Sequence, residues 1–217
     1  MNLELARFNM IEQQIRPWEV LNQGVLSLLA LVKREDFVPT AYRALAFVDT
    51  EVPLPCGQSM LEPKVEARLL QELAVLRHER VLEIGTGSGY MAALLAHQAQ
   101  HVISLEIQPE LARMATDNLR RASILNVQVR EADGARGLPA EGPFDVIVLS
   151  GSVADVPLAL LNQLKVGGRL VAVVGQLPVM RAVLTTRSSE AGFGRVDLFD
   201  TVAPRLSGFD EPSRFTF

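Results

Sequence analysis

A short segment near the middle of the chain, Val81 to Tyr90, constrains the fold more than any other part of the sequence. It reads Val-Leu-Glu-Ile-Gly-Thr-Gly-Ser-Gly-Tyr, so an apolar run leads directly into a turn rich in glycine. Glycine permits positive φ angles and close approach of a ligand, and a helix start presents N–H groups. The segment therefore predicts a strand, a glycine turn and a helix. In a doubly wound fold this turn lies at the carboxyl end of the first strand, where ligands bind.

Strand and helix patterns alternate along the rest of the chain, which predicts an α/β fold with a doubly wound, mostly parallel sheet. A run without a convincing helix, Ala182 to Val202, predicts an antiparallel edge at the C-terminal side. The strand-like runs are residues 81–84, 102–105, 127–129, 146–149 and 170–174, and helix-length segments between them include 88–96 and 109–122.

The N-terminal part has a different pattern. Residues 1–44 carry apolar residues at helical spacing, with a break at Arg16-Pro17 that predicts two short helices. Residues 45–63 contain three prolines and a glycine, which indicates an irregular connector. We therefore expect a helical extension with a substrate loop over residues 1–62, followed by one compact domain over residues 63–217.

Composition excludes several classes of protein. The formal net charge is -4 and no run of Lys or Arg exceeds two residues, which argues against a nucleic-acid partner. Cys56 is the single cysteine, so no intrachain disulfide can form and a reducing compartment is expected. Neither a signal peptide nor a membrane span is indicated, and we predict a cytoplasmic protein without a membrane partner. No metal site is expected, because His97 and His101 have no third ligand nearby.

The spacing of the glycines narrows the range of ligands that the turn could bind. Dinucleotide sites need G-x-G-x-x-G, whereas the third glycine here comes one residue early, which disfavours NAD and FAD. Glu106 ends the next strand, where an acid can bind ribose hydroxyls; a solvated carboxylate is the alternative. With Glu83 and Asp133, three strand ends carry acids. These would repel a pyrophosphate but suit a cationic, phosphate-free nucleoside such as S-adenosylmethionine.

These residues resemble two nested families. One set of motifs resembles, in order and spacing, those of the class I S-adenosylmethionine-dependent methyltransferases. It comprises Glu83–Gly89, Glu106, Asp133-Gly134, Phe144-Asp145 and 167–171. A second set is similar to the protein-L-isoaspartate O-methyltransferases, and it comprises 13–16, 34–39, 53–55, 57–59 and 157–164. The similarity extends from about residue 8 to residue 176.

The resemblance implies a role for each matching residue. The methionine part of the cofactor would lie against the loop of Gly85, Thr86, Gly87 and Gly89, which Glu83 would support. Glu106 would hold the ribose. Asp133 with Gly134 would receive the adenine amine. Gln58, Ser59 and Met60 would bind the substrate. The implied reaction is methylation of the isoaspartyl carboxylate in damaged proteins, which is a step in their repair.

The substrate loop departs from the family pattern. The family reads Gly-Gln-Thr-Ile-Ser-x-Pro, whereas residues 57–63 read Gly-Gln-Ser-Met-Leu-Glu-Pro. Ser59 keeps a hydroxyl, but Leu61 stands where the family has a serine credited with a catalytic role, and leucine cannot donate a hydrogen bond. Ser59 and Leu61 are therefore the two catalytic positions to test. One alternative is a methyltransferase for a more apolar substrate, in which Leu61→Ser would raise isoaspartyl activity. The other is a non-catalytic cofactor-binding protein.

Overall fold

A computed structural model describes residues 2–211 of the protein. The C-terminal residues 212–217, which include the aromatic residues Phe215 and Phe217, lie outside the described part. The helices are α1 (Leu3–Met10), α2 (Gln23–Leu31), α3 (Pro63–Leu73), α4 (Tyr90–Gln98), α5 (Pro109–Arg121) and α6 (Leu158–Leu161). The strands are β1 (Val52–Pro53), β2 (Ser59–Met60), β3 (Arg80–Ile84), β4 (His101–Glu106), β5 (Val127–Glu131), β6 (Phe144–Val153), β7 (Leu164–Gln176), β8 (Val179–Arg187) and β9 (Phe193–Thr201).

Strands β3 to β9 form one seven-stranded sheet in the order β5-β4-β3-β6-β7-β8-β9. The first five of these strands are mutually parallel, and β8 and β9 continue the sheet in antiparallel pairings. The predicted mostly parallel sheet with an antiparallel edge is thus confirmed. Strand order reverses at β3, between β4 on one side and β6 on the other, which is the point where doubly wound folds bind ligands.

The N-terminal extension is helical, as predicted. Helix α1 is capped by the Asn2 side chain, which accepts a hydrogen bond from the Leu5 N–H at 3.1 Å, and Asn22 caps α2 in the same way. Between them the chain continues through a π-helical turn (Ile11–Ile15) and a 3₁₀ turn (Arg16–Trp18). The break predicted at Arg16-Pro17 is therefore present.

The extension packs directly on the sheet domain. One apolar cluster includes Met10 and Leu29 from the extension together with Leu70 and Leu94 from α3 and α4. A buried ion pair crosses the same boundary, with Arg34 Nη1 at 3.0 Å from Glu66 Oε2. The division into 1–62 and 63–217 stays a prediction, since burial is continuous across it.

The irregular connector lies against the glycine turn. Strands β1 and β2 pair antiparallel, with Pro53 opposite Ser59, and the Leu54 N–H donates to the Gln58 carbonyl at 2.8 Å. A Cβ atom on Gly87 would lie 3.3 Å from Leu54 Cδ1, so the connector touches the turn. Within residues 2–211, the helices are too short or too polar to cross a membrane.

Candidate active site

The glycine turn follows β3 at the switch point of the sheet. Gly85, Gly87 and Gly89 have φ angles of 90°, 53° and 85°, a region in which side chains are strained. The N–H groups of Gly85 and Thr86 donate to the Leu105 carbonyl, and that of Gly89 donates to the Thr86 carbonyl. Because these three donors are used within the protein, they are not free to bind a phosphate. The glycines leave room for a ligand to approach the backbone of the turn.

Glu83 supports the turn from below. Its side chain is fully buried and accepts hydrogen bonds from Ser104 Oγ at 2.6 Å and from Ser150 Oγ at 2.8 Å. The Thr86 hydroxyl lies 2.6 Å from the Ser104 hydroxyl, so a chain of hydrogen bonds links the turn to Glu83. The pKa of Glu83 is raised to about 7. Burial is the largest cause, the two serine hydroxyls act against it by lowering the pKa, and the charge of Glu106 adds to the increase.

Glu106 ends β4 beside the turn. One carboxylate oxygen accepts the Gly87 N–H at 2.8 Å, and the other accepts the Gln108 N–H at 3.0 Å. These bonds fix the carboxylate at the cavity wall, where its remaining lone pairs can accept ribose hydroxyls. Gly134 follows a third strand, β5. A Cβ atom added at this position would lie 2.4 Å from Ile84 Cγ2, so only glycine fits there.

A narrow cavity of about 50 Å³ lies over this turn. It brings together six residues that the sequence predicted, namely Gln58, Ser59, Gly85, Gly87, Glu106 and Gly134. Thr86 and Gly89 are buried in the turn, and Glu83 is buried beneath it. Asp133 is exposed beside the cavity, with its carboxylate accepting the Ala135 N–H at 2.9 Å.

The substrate loop divides at Ser59. Ser59 reaches the cavity, whereas Met60 and Leu61 are buried in the apolar cluster of the N-terminal side. The Leu61 side chain is 5% exposed, and its carbonyl accepts a hydrogen bond from Arg34 Nη2 at 2.8 Å. The structure therefore does not bring the Leu61 side chain to the cavity.

Sequence reasoning missed several cavity residues. Ser150 follows the predicted strand 146–149, so the strand-end rule that found Glu106 could have found it. No sequence pattern assigned Leu206 and Ser207 to the site; both lie in the segment after β9. That segment is held by Ser152, whose N–H donates to the Pro204 carbonyl at 2.7 Å and whose carbonyl accepts the Leu206 N–H at 2.9 Å. The other missed residues are Ile84, Leu105, Ile107, Leu111 and Ala132.

Comparison with known sequences identifies the family. The profile of the protein-L-isoaspartate(D-aspartate) O-methyltransferases matches residues 6–195. The chain belongs to this family. A protein-L-isoaspartate O-methyltransferase of Koribacter versatilis is 38% identical over 90% of this chain and 88% of its own length. The enzyme of that name from Myxococcus xanthus is 46% identical over 70% of this chain and 71% of its own. Membership makes the protein a methyltransferase.

Solved structures agree on the fold. A Plasmodium falciparum protein-L-isoaspartate O-methyltransferase in complex with S-adenosyl-L-homocysteine superposes with a TM-score of 0.80 at 20% identity. The match covers 93% of this chain and 98% of that one. The class I methyltransferase fold implied by the family resemblance is therefore confirmed.

Proposed function

We propose that the protein transfers a methyl group from S-adenosylmethionine to the carboxylate of isoaspartyl residues in damaged proteins. The observation that carries this proposal is the cavity itself. In a chain of this family, Ser59 lines this cavity together with the glycine turn and Glu106, which supports the proposal.

The residues present suit S-adenosylmethionine. Gly85 and Gly87 would let its methionine part approach the backbone, and Glu106 would accept its ribose hydroxyls. Asp133 would receive the adenine amine, and Glu83 would keep the turn in place through Ser104. Carboxylates without a phosphate cradle favour a ligand that carries a positive charge. When bound, the cofactor supplies a methyl group activated by its cationic sulfur.

Methyl transfer to a carboxylate needs little acid or base catalysis from side chains. The acceptor carboxylate is ionised near neutral pH, so one of its oxygens can form a bond to the methyl carbon while the carbon–sulfur bond breaks. The electron pair of that bond stays on sulfur, the product is a methyl ester, and no proton moves. Ser59 would donate a hydrogen bond to the second carboxylate oxygen and align the first. Catalysis then consists mainly of positioning and exclusion of water.

No specific observation favours either alternative, the methyltransferase for a more apolar substrate or the non-catalytic cofactor-binding protein. A more apolar acceptor was suggested by Leu61, but that side chain is buried away from the cavity. A cytoplasmic location and the absence of a nucleic-acid partner remain inferences, supported by the single cysteine and the net charge of -4.

The test is methyl transfer from labelled S-adenosylmethionine to an isoaspartyl peptide, with its normal aspartyl twin as control. We expect label on the isoaspartyl peptide alone. Ser59→Ala should lower kcat/KM by roughly 10- to 100-fold through loss of one hydrogen bond to a charged group. Ser189→Ala, in the exposed turn between β8 and β9, should leave it unchanged. Failure to label either peptide, in protein that binds S-adenosylhomocysteine, would contradict the proposal.

A further inference from the structure

A buried arginine joins the substrate loop to the helix that follows the glycine turn. Arg34 lies in a short 3₁₀ turn of the N-terminal extension, and its side chain has no exposed surface. Its Nη2 donates to the Leu61 carbonyl at 2.8 Å, and its Nη1 lies 3.0 Å from Glu66 Oε2 on α3. Its guanidinium carbon lies 5.4 Å from the centre of the Tyr90 ring. One planar group thus contacts three separate segments of the chain.

Two of these contacts lie next to the two sides of the cofactor cavity. Leu61 comes two residues after Ser59, whose strand β2 pairs with β1. Tyr90 begins α4 directly after Gly89, the last glycine of the turn, and it is 2% exposed. Arg34 therefore bridges the loop that would hold the acceptor carboxylate and the turn that would hold the methyl donor.

The guanidinium group is suited to fix the relative position of these segments. Its donors form a rigid planar fork, whereas a lysine ammonium is a single charge on a flexible stem. Leu61 lies between β2 and α3, outside regular secondary structure, and it is buried. The carbonyl of a buried residue needs a hydrogen-bond partner, and Arg34 supplies one for Leu61. The path of the loop is consequently tied to the orientation of this side chain.

Stability alone does not account for the buried pair of Arg34 and Glu66. Removing two charges from water costs free energy, and apolar side chains of similar volume often stabilise a protein as well as such a pair or better. Burial raises the pKa of Glu66 to about 7, and the charge of Arg34 acts against this increase, so the carboxylate is poorly solvated. The pair is better suited to fixing a geometry than to stabilising the fold.

We propose that Arg34 is a positioning residue for methyl transfer. Through the Leu61 carbonyl it fixes the substrate loop, and with it the Ser59 hydroxyl, relative to the glycine turn. The inference rests on the function proposed above, in which Ser59 aligns the acceptor carboxylate. In-line transfer needs precise alignment, and a misplacement of about 1 Å can lower a rate about 100-fold. Arg34 does not line the cofactor cavity, so it acts through the loop.

The test is the double variant Arg34→Met/Glu66→Leu, which replaces both charges by apolar side chains. It avoids leaving one buried charge without its partner, which would itself destabilise the protein. We expect a thermal midpoint close to that of the wild type, with kcat for an isoaspartyl peptide lowered roughly 10- to 100-fold and a smaller change in KM. Affinity for S-adenosylhomocysteine should not change, because the turn keeps its hydrogen bonds to Leu105 and Glu106.

A second buried pair provides the matched control. Arg7 of α1 donates to the Glu35 carboxylate, and within residues 2–211 neither side chain hydrogen-bonds to the substrate loop. Arg7→Met/Glu35→Leu should therefore keep the kcat of the wild type. An equal loss of kcat in both double variants, or no loss in Arg34→Met/Glu66→Leu, would overturn the proposal.

A conservative variant covers the case in which the double variant does not fold. Arg34→Lys keeps the charge, but its single nitrogen cannot occupy both positions that Nη1 and Nη2 occupy. We expect a folded protein whose kcat lies between those of the double variant and the wild type. A wild-type kcat in Arg34→Lys would overturn the proposal.

Hydrogen exchange separates this proposal from the proposed function, because it needs no turnover. In Arg34→Met/Glu66→Leu the amides of residues 58–62 should exchange faster than in the wild type, and those of residues 85–89 should not. Faster loop exchange, in a protein whose wild-type form methylates no peptide, would support the role of Arg34 in fixing the loop and contradict the isoaspartyl activity. Loop exchange at the wild-type rate would overturn that role, whether or not the wild type methylates peptides.

Discussion

Substitution of Leu61 by serine separates the sequence-based interpretation of the substrate loop from the structural one. The sequence alternative expects Leu61→Ser to restore a missing catalytic hydroxyl. In the structure the side chain is 5% exposed and packs in the N-terminal apolar cluster. Truncating a buried leucine costs about 2–5 kcal/mol, and burying a hydroxyl without a partner adds about 1–3 kcal/mol. We therefore expect Leu61→Ser to lower the free energy of unfolding by roughly 4 kcal/mol and to leave isoaspartyl activity per folded molecule no higher.

The measurements are urea unfolding, the thermal midpoint and methylation per folded molecule. For a domain of this size, a loss of about 4 kcal/mol lowers the thermal midpoint by roughly 10 °C. Leu61→Met conserves volume and should cost less than about 1.5 kcal/mol. Leu69→Ser, at a fully buried position on α3, reproduces the loss of stability without changing the loop. A severalfold gain of isoaspartyl activity in Leu61→Ser, with less than about 1 kcal/mol of lost stability, would refute the structural reasoning.

Three further predictions concern the cofactor site. Glu106→Ala should weaken binding of S-adenosylhomocysteine roughly 30-fold or more in calorimetry, since hydrogen bonds to a charged group contribute about 1.5–3 kcal/mol each. The control Glu131→Ala, at an exposed strand end, should leave the affinity unchanged. Equal affinities of the two variants would exclude Glu106 as a cofactor-binding residue. Burial raises the pKa of Glu83 to about 7, so the folded protein keeps a proton that the unfolded chain releases near pH 4.5. Stability should consequently fall as the pH rises from about 4.5 to 7, by up to about 1.4 kcal/mol per unit from this group, and Glu83→Gln should flatten that dependence in urea unfolding at pH 5, 6 and 7. Leu206→Ala should raise the association rate constant of S-adenosylhomocysteine in stopped-flow measurements, because Leu206 closes a cavity of about 50 Å³ over Gly85; an unchanged rate would show that entry does not pass this side chain.

The sequence determined the sheet and the floor of the cofactor site. Periodicity located the five parallel strands, and the glycine turn indicated which strand end lines the cavity, because positive φ angles there favour glycine. Glu106 and Gly134 followed from the same rule, since parallel strands end at one edge of the sheet. These predictions depend on local backbone geometry and on short sequence distances, which a linear pattern records.

The tertiary structure alone decided what closes the site and which loop residues reach it. Leu206 lies over Gly85 only because Ser152 binds the segment after β9, a contact between residues more than fifty positions apart in the chain. Likewise, alternation along the substrate loop could not show that Ser59 faces the cavity while Leu61 faces the core. That choice depends on the pairing of β1 with β2 and on the Arg34 side chain that holds the Leu61 carbonyl. Side-chain direction in an irregular loop is set by such distant partners, and the sequence names the residues without naming the partners.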